Sequence, residues 1–386
     1  MSLYFDEEHK MFRQMVRQFV EKEIEPHVDE WEAQRLWPAR TLLKKMGDLG
    51  LLGLSYPEKY GGAGLDYWYN LILFEELGRC SCGGVPMGIG VHTDMATPAL
   101  AQFGSEELKQ RFLAPAIAGA MCAAIAVSEP DAGSDVAAIR TRAEPDGDTY
   151  VINGSKMWTT NGTQADFIVL LARTAAGQGY RGMSLIVVPT DTPGFSVSRK
   201  LEKLGMHSSD TAILSFDGVR VPQAFRIGEE GAGFQLQMQQ FQKERLIGSV
   251  MGLAGAERAI EITVKYTRER QTFGKPLIEN QWIHFKLAEL LAEIEALRQL
   301  NYHCTRMMIA GQDATKEVSM AKLKVGRLVR QVADTCVQFH GGMGYVEEYP
   351  IARYFRDSRL LSIGAGADEI MLGIIAKYAG LYPTRG

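Results

Sequence analysis

Two short stretches, far apart in the chain, hold the residues best suited to chemistry. In QFQKERLIGSV, residues 240–250, Glu244 shares a helical face with Phe241 three residues before it and with Gly248 and Met251 four and seven after. A carboxylate on an apolar helix face needs a reason. The ordinary one is pairing with Lys243, Arg245 or water; the other is proton transfer. In LSIGAGADEIM, residues 361–371, a Gly/Ala loop enters a helix, a pattern that brings backbone close to a ligand. Its centre, Gly364, Ala365 and Gly366, carries no proton acceptor in any side chain.

Four further motifs can face a ligand, and each has a plainer reading. AVSEPDAGSD, residues 126–135, forms a tight turn through Pro130 and Gly133 that offers Ser128, Ser134 and backbone N–H groups; it could equally be a surface turn. KMWTTNG, residues 156–162, joins the flat face of Trp158 to two threonine hydroxyls, although Trp158 could be simple β-core. RERQTFGKPL, residues 268–277, ends a helix with Arg270 free to meet an anion. In QFHGGMGYVEEYP, residues 338–350, Gly341, Gly342 and Gly344 let backbone approach something bulky. The chain lacks GxGxxG after a strand, GxxxxGK[ST], HExxH, paired CxxC and GxSxG. Neither a Rossmann site, a P-loop nor a metal is expected. The seven histidines are scattered and read as structural. Five scattered cysteines, with Cys80 and Cys82 as a lone CxC, read as buried free thiols of a reducing compartment.

The elements that position these motifs fall into three zones. Residues 1–120 read as helices, beginning with FDEEHKMFRQMVRQFVEKEIEPHVDEWE. Residues 121–230 read as an antiparallel β unit, a barrel or sandwich, with a hairpin at Asn153-Gly154. Residues 231–386 hold four amphipathic helices with short links, a four-helix bundle. The class is therefore α+β and multidomain. A net charge of −4 gives no electrostatic case for nucleic acid. No apolar run approaches the ~20 residues that span a bilayer. The acidic start MSLYFDEEHK has no mark of a secretory or transit peptide. A cytoplasmic location is expected, or the mitochondrial matrix if the chain is eukaryotic and processed.

The order EPxAGSD, KxWxTNG, RxxFGxPL, QxxGGxGY…EYPxxRxxRD and GxGxxEI, with FEELGR, YGGAGLD and MHSSDTAILSFDGVRVP, resembles the acyl-CoA dehydrogenase family from about residue 5 to residue 380. The resemblance implies FAD bound without a Rossmann fold and oxidation of an acyl-CoA to its trans-2-enoyl-CoA. It implies that Ile125 to Ser134 (Ile125, Val127, Ser128, Gly133 and Ser134 among them) contact the flavin, with Ser134 also near the thioester. Trp158 and Thr160 would line the isoalloxazine, and Ala367 and Glu369 would approach it from the late loop. Arg270, Thr272, Phe273, Gln281, Gln338, Gly341 and Gly342 would reach the cofactor of a neighbouring chain, so a homo-oligomer, typically a tetramer, follows. The family's electron acceptor is an electron-transfer flavoprotein.

The resemblance also has a departure. Many members carry the base as a glutamate in a late loop like IYEGTSEI; here Gly364 and Ala365 replace its tyrosine and glutamate. A minority, the isovaleryl-CoA and long-chain enzymes, carry the base in an ERL sequence on the first bundle helix. Glu244 falls on that position, which implies that it is the base. Arg245 would contact the CoA portion, and the Ala365 N–H and Gly366 would border the thioester. The small side chains leave room for a 3-methyl branch. The expected substrate is therefore β-branched, isovaleryl- or citronellyl-like, or long-chain, with VHTDMATPAL, residues 91–100, along the acyl tail. A flavin-binding scaffold that has lost catalysis and an acyl-CoA oxidase are the alternatives.

Overall fold

The computed structural model describes residues 4–175 and 179–382; the outermost ends of the first and last units lie outside the described residues. The first helix, Glu7–Phe19, is capped by Asp6, whose side chain accepts from the His9 N–H at 3.0 Å. The sequence predicts one helical run onward to Glu32. Instead the coil widens over Val20–Ile24 and tightens over Glu25–His27, where Pro26 has no N–H to give, and resumes at Val28–Gln34. Arg13 and Arg17 of the first helix reach the buried Glu75 and Glu76 of helix Tyr67–Leu77, with Arg13 at 2.9 Å from Glu76. That second helix is apolar nearly all round and is buried accordingly.

Among the described residues the β unit has eight strands: β1 (Ala123–Ala126), β2 (Arg142–Asp146), β3 (Thr149–Thr160), β4 (Phe167–Arg173), β5 (Met183–Pro189), β6 (Phe195–Lys200), β7 (Thr211–Pro222) and β8 (Arg226–Ile227). Their order is β6-β7-β3-β2-β4-β5-β8, with β1 parallel to β4. β2 meets β4 at the single pair Arg142–Arg173, so two antiparallel halves splay from one corner. The parallel β1–β4 pair departs from the wholly antiparallel expectation.

The expected hairpin at Asn153-Gly154 does not form. β3 runs straight through it, and the turn lies at Gly147, φ +63°, between β2 and β3. Asn153-Gly154 makes a bulge instead: the register against β7 shifts there, and the Asn153 carboxamide accepts from the Gly218 N–H at 2.8 Å. Gly154 has φ +150°, and a Cβ on it would lie 2.5 Å from Thr141 Oγ1.

The bundle helices are Gly233–Glu269, Gln281–Ile309, Thr315–His340 and Asp368–Tyr378. A short helix the sequence reading did not anticipate, Pro350–Ser358, opens on a proline at a position where no N–H is needed. One apolar core runs from the N-terminal helices into the bundle, and a second joins the sheet to the segment around Ala96–Ile117. The first bundle helix touches both cores, through Val250 in one and Leu236 in the other. Replacing Gly154 by alanine should cost about 2 kcal/mol or more of stability in urea unfolding, because Thr141, its Cα included, stands where the methyl group would go.

Candidate active site

Three cations surround Glu244 in sequence or space, and none pairs with it. Lys243, next in the chain, leans over the Tyr67 ring at 5.4 Å and senses Asp94, which Tyr67 holds at 2.7 Å. Arg245 lies over the Phe241 ring at 5.4 Å and donates its Nε–H to the Ala365 carbonyl at 3.3 Å. Lys322, 1% exposed, donates to the Gly366 carbonyl. Among the described residues the Glu244 carboxylate has no hydrogen bond or ion pair, so the plain pairing with Lys243 or Arg245 is absent. Glu244 is half-buried. Burial pushes its pKa up to about 7, against the opposing pull of Arg245 and Lys322.

The same two cations shape the bare loop. Arg245 and Lys322 bind successive carbonyls, where Ala365 and Gly366 adopt φ +55° and +97°. A Cβ on Gly366 would come 2.7 Å from Met371 Cε. Ala365 therefore sits in left-handed backbone that a larger or branched side chain would strain further. Arg245 is buried and its Nε is committed to this loop. Ala367 caps the last helix, and Glu369 is exposed in its first turn. Lys322 was missed from the sequence. Its signal was a lysine in phase with the buried Val318, Ala321, Val325 and Val329.

Trp158 is not β-core. It is 59% exposed, with φ +65°, on a bulge where the β3–β7 register shifts between Lys156 and Thr159. Lys156 anchors the bulge from below: wholly buried, it binds Glu129 at 2.9 Å and the Val127 carbonyl at 2.8 Å. Glu129 also accepts from the Thr141 N–H at 2.9 Å and the Arg140 N–H at 2.6 Å. Burial draws Lys156 down to about 8; burial also works to raise Glu129, but Lys156 and these donors hold it below its usual value. This buried pair ties the turn containing Ser128, Gly133 and Ser134 to Trp158, and Met157 adds a bond from its N–H to the Ser128 carbonyl at 2.9 Å. Gly133 and Ser134 are exposed; Ile125, Val127, Ser128 and Thr160 are half-buried. β1, which bears Ile125, is fixed by His92: Nδ1 accepts from the Ala123 N–H at 3.1 Å, and Nε2 donates to the Ala116 carbonyl at 3.0 Å. Burial keeps that imidazole neutral, near 4.

The remaining expected cofactor residues gather elsewhere. Arg270, Thr272 and Phe273, Gln281, and Gln338, Gly341 and Gly342 all lie at one end of the bundle. Tyr266 joins them by stacking on His340 at 4.3 Å and donating to its carbonyl at 3.1 Å. All but Thr272 are exposed, and Phe273 projects fully at the tip of a two-stranded turn with φ +50°.

This arrangement matches known proteins over its whole length. The family models for the N-terminal, middle and C-terminal domains of acyl-CoA dehydrogenase match residues 6–120, 124–219 and 231–380. The chain belongs to the acyl-CoA dehydrogenase family. It is 39% identical to the mitochondrial long-chain specific acyl-CoA dehydrogenase of Sus scrofa, over 97% of this chain and 86% of that one. It is 37% identical to the mitochondrial isovaleryl-CoA dehydrogenase of Oryza sativa, over 97% and 92%. A crystal structure of the acyl-CoA dehydrogenase from Geobacillus kaustophilus superposes with a TM-score of 0.95 at 43% identity, covering 98% of this chain and 100% of that one.

This dehydrogenase is thus an oxidoreductase acting on acyl-CoA, and FAD is its cofactor. The residues present fit that group: an exposed indole face braced from beneath, next to a turn of hydroxyls and open backbone, suits a planar ring and its polyol chain. Residues 91–100 are buried throughout, packed into helix contacts. Among the described residues no helix is long and apolar enough to cross a membrane.

The raised Glu244 pKa has a stability consequence. Between its ordinary value of 4.5 and about 7, the folded protein holds this proton more tightly than the unfolded chain. The group's contribution to folding is fully present below 4.5 and is lost as pH rises through about 7. Glu244→Gln should therefore raise the melting temperature at pH 8, by an amount worth up to ~3 kcal/mol less what water screens at this half-exposed group, and the gap should close toward pH 5.

Proposed function

We propose that this dehydrogenase converts an acyl-CoA thioester to the trans-2-enoyl-CoA with Glu244 as the base that takes the C2 proton. The observation that carries this reading is an unpaired carboxyl poised at about 7 beside the bare 364–366 loop. A base with that pKa is substantially ionised at neutral pH yet strong enough to accept the proton of a weak carbon acid. When bound, FAD would supply the acceptor for the hydride that leaves C3. The work of the chain is to orient and to exclude water. Trp158 and Thr160 would hold the ring, Ile125, Val127, Ser128, Gly133 and Ser134 would hold its polyol chain, and Ala367 and Glu369 would approach it from the late loop. Ser134, the Ala365 N–H and Gly366 border the thioester. Arg245 positions the loop through the Ala365 carbonyl and lends its charge to the CoA side.

Gly364 and Ala365 leave space beside C3, which supports a 3-methyl-branched acyl group, isovaleryl- or citronellyl-like, or a long chain. Such a step belongs to fatty-acid, branched-chain or terpenoid breakdown. Electrons then pass to an electron-transfer flavoprotein, the acceptor implied by the family resemblance. A poised, unpaired base argues against a scaffold that has lost catalysis.

A second copy of the chain is part of the proposal. Arg270 lies 26 residues beyond Glu244 on one continuous helix and its cap, about 39 Å along the axis. One extended dinucleotide cannot touch both ends, so Arg270, Thr272, Phe273, Gln281, Gln338, Gly341 and Gly342 serve the cofactor of a neighbouring protomer. The exposed Phe273, Trp282 and Phe285 supply apolar surface for that contact. The expected assembly is a homotetramer.

Anaerobic mixing with acyl-CoA tests the base. Glu244→Gln should slow flavin bleaching at least about a thousandfold while flavin stays bound. The wild-type kcat/KM should rise with pH through a limb near 7. Bleaching at the wild-type rate in the variant would refute the assignment. Phe273→Asp combined with Arg270→Glu should lower both the mass seen by light scattering and the flavin content; loss of neither would remove the shared-cofactor reading.

A further inference from the structure

Cys80 and Cys82 play no part in the reaction proposed above. Their Sγ atoms lie 3.7 Å apart, close enough to share one proton. Both thiols are buried, and both border an apolar cavity of about 720 Å³, open mouth included, a space that admits a small molecule. Cys122, Cys304 and Cys336 are buried elsewhere in the fold.

Two thiols that only filled core would need no polar fittings, yet this turn has several. Glu25 accepts from the Ser81 N–H at 3.0 Å and from the Ser81 hydroxyl. Arg353, on the short helix Pro350–Ser358, donates to the Ser81 carbonyl at 3.3 Å. Asp357 of the same helix accepts from the Gly83 N–H at 2.8 Å and from the N–H of Met206, between β6 and β7. All three units of the chain therefore hold on to this turn. The fittings also make the sulfurs unequal. Cys80 faces the Glu25 carboxylate, and its bond to Cys82, with burial, holds its thiol well above the ordinary value. Cys82 lies in the field of the Arg353 guanidinium, which favours a thiolate.

We propose that Cys80 and Cys82 form a redox-active dithiol, closed to an intramolecular disulfide by hydrogen peroxide and reopened by a small thiol. The Cys82 thiolate attacks one peroxide oxygen; the O–O bond breaks, and the departing hydroxide takes up the proton that Cys82 gave away, leaving as water. The Cys80 sulfur then attacks the sulfenic sulfur of Cys82, and its proton leaves with the hydroxyl as a second water. Two thiols lose two electrons to one peroxide. The sulfurs must close from 3.7 Å to about 2.05 Å. That closure draws the turn in against the bonds from Glu25, Arg353 and Asp357. A ring across a single residue restricts the unfolded chain little, so the oxidised protein is the less stable form.

Peroxide titration of the flavin-loaded protein, quenched by alkylation and read by peptide mapping, tests it. The wild type should show Cys80 and Cys82 linked, with Cys122, Cys304 and Cys336 still alkylated after unfolding. Dithiothreitol should return both thiols. The oxidised form should melt at least about 2 °C lower than the reduced form, and reduction should restore the difference. Cys80→Ser should stop at a Cys82 sulfenic acid that a dimedone-type reagent traps, and Cys82→Ser should form no sulfenic acid at Cys80 at the same dose. Folded wild-type protein that keeps both thiols under excess peroxide, or gains oxygen on methionine alone, overturns the proposal without either variant. Sulfenic acid at Cys80 in place of Cys82 reverses the assigned order of attack. A linked pair with an unchanged melting temperature overturns the effect on the turn.

Discussion

A half-buried carboxyl group kept unpaired is the constraint around which the rest of this molecule is arranged. An ionised glutamate next to three basic residues would ordinarily form an ion pair and lose its basicity. Each neighbour is instead given something else to bind. Lys243 is drawn to the Tyr67 ring and the field of buried Asp94, Arg245 to the Phe241 ring and the Ala365 carbonyl, and Lys322 to the Gly366 carbonyl. Burial then raises the proton affinity of Glu244 by more than the fields of Arg245 and Lys322 lower it. The N-terminal helices matter here because they supply Tyr67 and Asp94. The third bundle helix matters because it supplies Lys322.

The 364–366 loop and Glu244 are consequently one device. Two buried cations would be costly without acceptors, and two carbonyls turned inward by left-handed backbone would be costly without donors. Each satisfies the other. Loss of the loop carboxylate at position 365 leaves the backbone of that loop in use, since Ala365 and Gly366 still anchor the cations that would otherwise collapse onto Glu244. The β unit applies the same logic on the opposite side. The buried Glu129–Lys156 pair holds a strained bulge that pushes an indole into solvent, a conformation that isolated strand propensity would never select.

Much of this was legible before any coordinates. The helix–sheet–helix order, the long bundle helices and the apolar face carrying Glu244 follow from periodicity, because burying a face at 3.6- or 2-residue spacing is a local demand. The Asn153-Gly154 hairpin was misread for an equally physical reason. Asn-Gly favours left-handed backbone, and both a hairpin turn and a bulge use it; only the partner strand β7 decides between them. The break after Phe19 is similar, since apolar spacing continues through a region where Pro26 removes an amide donor.

The sequence by itself therefore determined which elements form, which face of the first bundle helix is apolar, and that no acceptor stands at position 365. Only the tertiary structure decided which way each cation turns. Lys243, Arg245 and Lys322 have long flexible stems, and their direction depends on partners that are distant in sequence: Tyr67, Ala365 and Gly366. The pKa of Glu244 is a property of that arrangement, because desolvation is set by whatever packs around a group and not by its neighbours along the chain.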